Sequence, residues 1–106
     1  MRFLLAILLL TGSVYAQDKP TFAYVYQFPC PPCKLAKEVL EKLKKDDTLQ
    51  SYAVKEYDFP FNREYLSILK VTRTPSFFIL DKQGKLLDVL NDNREDNVRD
   101  FIKKHK

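Results

Sequence analysis

The sequence predicts an α/β fold with a four-stranded mixed sheet flanked by helices, in the order β-α-β-α-β-β-α. Three observations carry that prediction. Two short runs rich in aromatic and β-branched residues, 21–28 (TFAYVYQF) and 52–57 (YAVKEY), are separated by a stretch of helical periodicity. A third apolar run, 76–80 (SFFIL), meets a Gly-containing turn and a partner run at 85–90. An amphipathic segment closes the chain.

The elements follow in order. Residues 21–28 have the composition of one buried strand, and Pro29-Cys30-Pro31-Pro32-Cys33 stops it. Between residues 34 and 45, Leu35, Ala36, Val39, Leu40 and Leu43 share one helical face, while lysines and Glu41 take the other. Residues 52–57 form the second strand. A helical connection makes these two strands parallel, with a right-handed crossover. Asn62 is a suitable N-cap for a short helix carrying Tyr65, Leu66 and Leu69. Thr74-Pro75 forces an extended break before the third strand. Gly84, the only glycine after Gly12, supplies the positive φ of the hairpin turn. Asp92 and Glu95 have the spacing of a capping box, and Val98, Phe101 and Ile102 give the last helix its apolar stripe.

Residues 1–16 are read as an export signal rather than as part of the fold. Arg2 is a positive start, residues 3–10 are apolar, and Val14-Tyr15-Ala16 fits a small-residue cleavage pattern before Gln17. The apolar run is too short to span a bilayer in the ordinary way. An uncleaved N-terminal anchor is the alternative, and only then is a membrane involved. Residues 17–106 are then the folded domain, working outside the cytosol where disulfides persist, with a bacterial periplasm as the expected setting.

Composition bounds the partners. The chain is 45% hydrophobic and 30% charged, which is ordinary for a globular protein. Loss of Arg2 takes the formal charge from +4 to +3, and the basic residues alternate with acids, as in Lys34-Leu35-Ala36-Lys37-Glu38. That pattern lacks the one-signed face a nucleic acid requires, so no nucleic-acid partner is expected.

Cys30-Pro31-Pro32-Cys33 carries the chemistry. Its place matters more than its spacing: it joins a buried strand to the start of a helix. Cys30 there meets unpaired backbone N–H groups and the positive end of the helix dipole, which lower a thiol pKa and create a nucleophile. Pro31 suits the first helical turn. Cys33, one turn on, can close a disulfide with Cys30 and is expected to be the more buried thiol. A structural disulfide is a second reading, although so short a loop makes a poor staple. A metal site is a third: zinc takes four ligands, and the chain has two Cys and His105, read here as a solvated tail residue. A metal or cluster shared by a dimer also stays open.

With these residues in place the chain resembles the thioredoxin superfamily. Phe28-Pro29-Cys30-Pro31-Pro32-Cys33-Lys34 is similar to its W-C-x-x-C-K segment. Val71-Thr72-Arg73-Thr74-Pro75-Ser76-Phe77-Phe78 is similar to the segment holding its cis-proline, and the turn at 81–85 to its hairpin. The likeness covers residues 21–106 and is to the shorter, glutaredoxin-sized core of the fold, here with a CPPC active site. It implies a minimal thioredoxin fold and a thiol–disulfide oxidoreductase, with Cys30 as nucleophile and Cys33 as resolving thiol. It implies that Pro75 is cis and packs on the sulfurs, and that Thr74 pairs its backbone with the substrate chain. Arg73 is a candidate for drawing acidic substrates, and Pro31, Pro32 and Lys34 support the site. No metal, flavin or nucleotide cofactor is implied. The implied partners are protein substrates bearing thiols or disulfides and an upstream protein redox partner, with the chain a monomer. Pro32 before the second Cys is similar to the reducing members, so a reductase is expected. The alternatives are a disulfide-forming oxidant and a redox-inert peptide-binding module.

One departure stands out. Where the family places a buried Asp that assists proton transfer, this chain has Tyr24. Glu56 or Lys55 could take that role, or both are solvated edge charges; the phase of the second strand decides.

Overall fold

The computed structural model describes residues 18–105. The leader expected at 1–16 and the junction at Gln17 lie outside the described residues. The elements are β1 (Thr21–Tyr26), α1 (Pro31–Lys45), β2 (Ala53–Asp58), a 3-10 turn (Pro60–Asn62), α2 (Arg63–Ile68), β3 (Ser76–Leu80), β4 (Leu86–Leu90) and α3 (Glu95–Lys104). The sheet runs β2-β1-β3-β4. β1 and β2 are parallel, as a helical crossover demands, and β1–β3 and β3–β4 are antiparallel. The predicted order and mixed sheet are therefore those of the molecule.

The two central strands are buried on both faces, which is why they read as unbroken apolar runs. Alternation divides their side chains. Phe22, Tyr24, Phe77 and Ile79 face α1 and α3, packing with Ala36, Leu40, Leu43, Val98, Phe101 and Ile102. Ala23, Val25, Phe78 and Leu80 face the other way, onto Leu66 and Val71. Aromatic rings join the central strands: Phe22 and Phe77 stack with centroids 5.3 Å apart, and Tyr24 lies 5.4 Å from Phe77. Gly84 closes the β3–β4 hairpin at φ +85°, as expected of the turn.

Several local expectations differ. Helix α1 starts at Pro31 rather than Lys34, because its prolines already hold helical φ in the first turn. Leu35 is exposed, since the buried stripe runs through Cys33, Ala36, Leu40 and Leu43 and leaves it at the edge. Asn62 makes no side-chain cap; the 3-10 turn runs straight into α2, and Asn62 Nδ2 instead donates to the Asp58 carbonyl at 2.9 Å. No capping box forms at Asp92: Arg94 is the N-cap of α3, and Asp92 accepts from the backbone N–H groups of Asn93 and Arg94. Glu95 pairs with Lys42 and Arg99 instead. His105 is no solvated tail residue either. Its Nε2 lies 2.9 Å from Asp88 Oδ2, so the end of α3 is fastened to β4.

Leu40 is fully buried in the core, so Leu40→Ala should lower the unfolding free energy by about 2–5 kcal/mol in urea titrations. Phe61→Ala, at a ring that is 87% exposed, should stay within about 0.5 kcal/mol of the parent.

Candidate active site

The strand β1 delivers the chain to the end of the sheet, where Gln27, Phe28 and Pro29 turn outward and Cys30 becomes the N-cap of α1. Pro31 and Pro32 have no N–H, so the first backbone N–H of the helix belongs to Cys33. It is shared between the Cys30 carbonyl at 3.0 Å and the Cys30 sulfur at 3.2 Å. An N–H aimed at sulfur, with the helix dipole behind it, favours a thiolate over a thiol. Cys30 and Cys33 are joined as a disulfide, with S–S 2.04 Å and Cα–Cα 5.2 Å. Cys30 is partly exposed, whereas Cys33 is 4% exposed beneath it. One sulfur can be reached from solvent and the other is shielded, the asymmetry that the sequence suggested.

The loop before β3 forms the opposite wall. Thr74-Pro75 is a cis peptide, as the resemblance implies, and Phe28-Pro29 is a second one. Thr74 Oγ1 stands 3.9 Å from Cys30 Sγ, although 44 positions separate them in sequence. The β1–β3 ladder ends at the Val25–Ser76 pair, which leaves Thr74 outside it. Two asparagines that drew no attention in the sequence hold this wall in place. Asn91 Nδ2 donates to the Pro75 carbonyl at 2.6 Å, and Asn93 Nδ2 to the Pro32 carbonyl at 3.2 Å. Their only sequence signal was an Asn-Asp-Asn run after a strand, which reads as an ordinary turn. Arg73 is exposed, and among the described residues its side chain makes no ion pair and does not line the groove at the sulfurs. Lys34 lines the groove beside Cys33.

Under Cys33 lies Tyr24. Its hydroxyl donates to the Cys33 carbonyl at 2.6 Å. Burial, with smaller contributions from the charge of Glu56 and from Tyr26, pushes its pKa up to about 12. Tyr24 is therefore a proton donor at neutral pH, not a base. The phase of β2 is settled by register: Glu56 pairs with Tyr24 and Lys55 with Ala23, so the two face opposite sides of the sheet. Glu56 lines the same groove as Cys30 and Cys33 and is held by Lys37 Nζ at 2.6 Å. Lys55 does not line it.

Several thioredoxins are among the solved structures this chain is similar to. The thioredoxin of Fasciola hepatica is 24% identical, the match covering 95% of this chain and 94% of that one, with a TM-score of 0.74. The fold is the thioredoxin fold. Deadhead, the germline-specific thioredoxin of Drosophila melanogaster, is 22% identical over 91% of this chain and 90% of its own, with a TM-score of 0.73. Mitochondrial thioredoxin 3 of Saccharomyces cerevisiae is 21% identical over 92% and 89%, also at 0.73. No protein-family model matches the chain. The fold together with a close Cys-x-x-Cys pair supports thiol–disulfide chemistry at the general level.

The Tyr24 phenol has a direct pH consequence. The fold favours its neutral form, so the stability it contributes is complete below the ordinary value of 10.0 and is lost as pH rises through about 12. Tyr24→Phe should weaken the protein by about 1 kcal/mol at neutral pH through the lost hydrogen bond. It should also flatten the decline in thermal midpoint between pH 10 and 12, read by circular dichroism.

Proposed function

We propose that this protein is an exported thiol–disulfide oxidoreductase that exchanges disulfides with protein substrates and runs as a reductase. The observation that carries the reading is Cys30 at the N-cap of α1, its sulfur and its carbonyl sharing the first N–H of the helix, with Cys33 shielded below. In the reduced protein the Cys30 thiolate attacks one sulfur of a substrate disulfide. A mixed disulfide forms, and the other substrate sulfur leaves as a thiolate. Cys33 then attacks Cys30 Sγ, the internal disulfide closes, and the substrate departs with both thiols reduced. The two electrons come from the Cys pair, so no metal, flavin or nucleotide takes part.

The remaining groups have proposed roles around these steps. Thr74 and Pro75 receive the substrate backbone, and the Thr74 hydroxyl lies near the attacking sulfur. Pro31 and Pro32 direct the Cys33 N–H to Cys30. Lys34 adds positive potential beside the pair, and Arg73 favours acidic substrates approaching the exposed loop. Glu56, the only carboxylate lining the groove among the described residues, accepts the proton that Cys33 must lose before its attack. The working form is a monomer served by an upstream protein donor. The leader at 1–16 supports export, with a periplasm as the proposed setting.

Direction is a matter of potential. The pattern Cys-x-Pro-Cys supports reduction, and equilibration with dithiothreitol should place the pair at about −270 mV; a value of about −120 mV would make the protein a disulfide-forming oxidant instead. Cys30→Ser should abolish insulin reduction, and full activity in that variant would end the reading. Glu56→Gln should slow release of the mixed disulfide about tenfold at pH 7 and flatten its pH profile, while Lys55→Gln leaves both unchanged. Mass spectrometry of exported protein should find Gln17 as the first residue.

A further inference from the structure

Two clefts of opposite character flank Cys30. On the Thr74 side is a small polar one of about 240 Å³, where Asn91 and Asn93 stand beside Pro75. On the other side is an open groove of about 540 Å³, walled by Tyr24, Tyr26, Phe28 and Pro29. Its walls are rings and methylenes with few hydrogen-bonding groups. The Tyr24 and Tyr26 rings stack at 5.6 Å, and the Tyr24 hydroxyl is turned away to the Cys33 carbonyl. Phe28 is 91% exposed, the most exposed large apolar side chain described, and it stands two residues before the nucleophile. Scattered apolar residues on a surface need no explanation; an apolar groove that opens onto the reactive sulfur does.

The exchange reaction decides what can occupy it. Attack by Cys30 makes a covalent bond to a substrate cysteine, and adjacent Cα atoms are about 3.8 Å apart. The residues beside that cysteine therefore lie over the mouth of the groove. The polar cleft suits a peptide backbone, and the groove suits an apolar side chain. We propose that the groove is a specificity pocket for a large apolar side chain, aromatic or branched aliphatic, adjacent to the reacting cysteine of the substrate polypeptide. The rim adds a charge preference. Lys37 is matched by Glu56 and Glu41, whereas Lys34 makes no ion pair among the described residues, so the rim presents one unmatched cation. Acidic flanking residues are admitted and basic ones disfavoured.

This inference rests on the exchange activity proposed above, and the test separates the two. The probes are disulfide-linked dimers of two short peptides, identical except that phenylalanine or glycine stands on both sides of a single cysteine. Reduced protein converts each dimer to two thiols while Cys30–Cys33 closes. Single-turnover rates are divided by the rates of the same dimers with dithiothreitol. The phenylalanine dimer should react about tenfold faster, equivalent to about 1.4 kcal/mol. Phe28→Ala should collapse that ratio to threefold or less, and Ile68→Ala, an exposed residue of a different cleft, should preserve it. Equal rates for the two dimers, or a preference that survives Phe28→Ala, overturn the pocket. A reduced protein that sediments as a dimer and becomes monomeric on Phe28→Ala also overturns it, because a second copy is then the occupant. If neither dimer is reduced at all, the exchange activity itself fails.

Discussion

Helix α1 begins with two prolines, and from that one constraint the arrangement of the sulfurs follows. Pro31 and Pro32 cannot donate, so the first N–H of the helix is that of Cys33, and it is shared between Cys30 Sγ and the Cys30 carbonyl. The helix can hold this position because its opposite face is anchored. Ala36, Leu40 and Leu43 are fully buried against Phe22, Phe77 and Ile79. A helix seated less firmly would let its first turn drift, and the N–H would no longer meet the sulfur. The stability of the core and the polarity of the redox pair are thus parts of one construction.

The second wall arises differently. Nothing about the loop before β3 is regular, and it is held by side chains rather than by a ladder. Asn91 grips the Pro75 carbonyl, Asn93 reaches the Pro32 carbonyl, and Ser76 Oγ donates to the Arg73 carbonyl at 2.6 Å. These bonds bring three chain segments together at the N-terminus of α1. They also leave the two sides of Cys30 chemically unequal, with amides and carbonyls toward Thr74 and aromatic rings toward Phe28. An enzyme that forms a covalent bond with its substrate can exploit such inequality, because the bond fixes where the neighbouring residues must lie.

Tyr24 shows how a position can keep its place while its chemistry changes. A phenol pushed up to about 12 does not take a proton from Cys33 near neutrality; it braces the Cys33 carbonyl instead. The carboxylate nearest in register is on the neighbouring strand, at Glu56, and it faces the groove in company with Lys37.

The element order, the redox pair at a strand-to-helix junction, the break at Thr74-Pro75 and the Gly84 turn were all legible in the sequence. Each depends on local periodicity or on the backbone limits of Pro and Gly, which act over a few residues. Tertiary structure decided the rest. A strand pattern has period two, so a slip of one residue exchanges its faces; only pairing with β1 shows that Glu56, not Lys55, joins Tyr24. The two caps anticipated at Asn62 and Asp92 gave way to a 3-10 turn and to an Asx-type turn, because neighbouring chain supplied other partners. Thr74 reaches Cys30, Asn91 reaches Pro75 and Asn93 reaches Pro32 across long stretches of chain, and His105 closes onto Asp88. Such contacts depend on which surfaces the packed core brings together, and no local pattern encodes that.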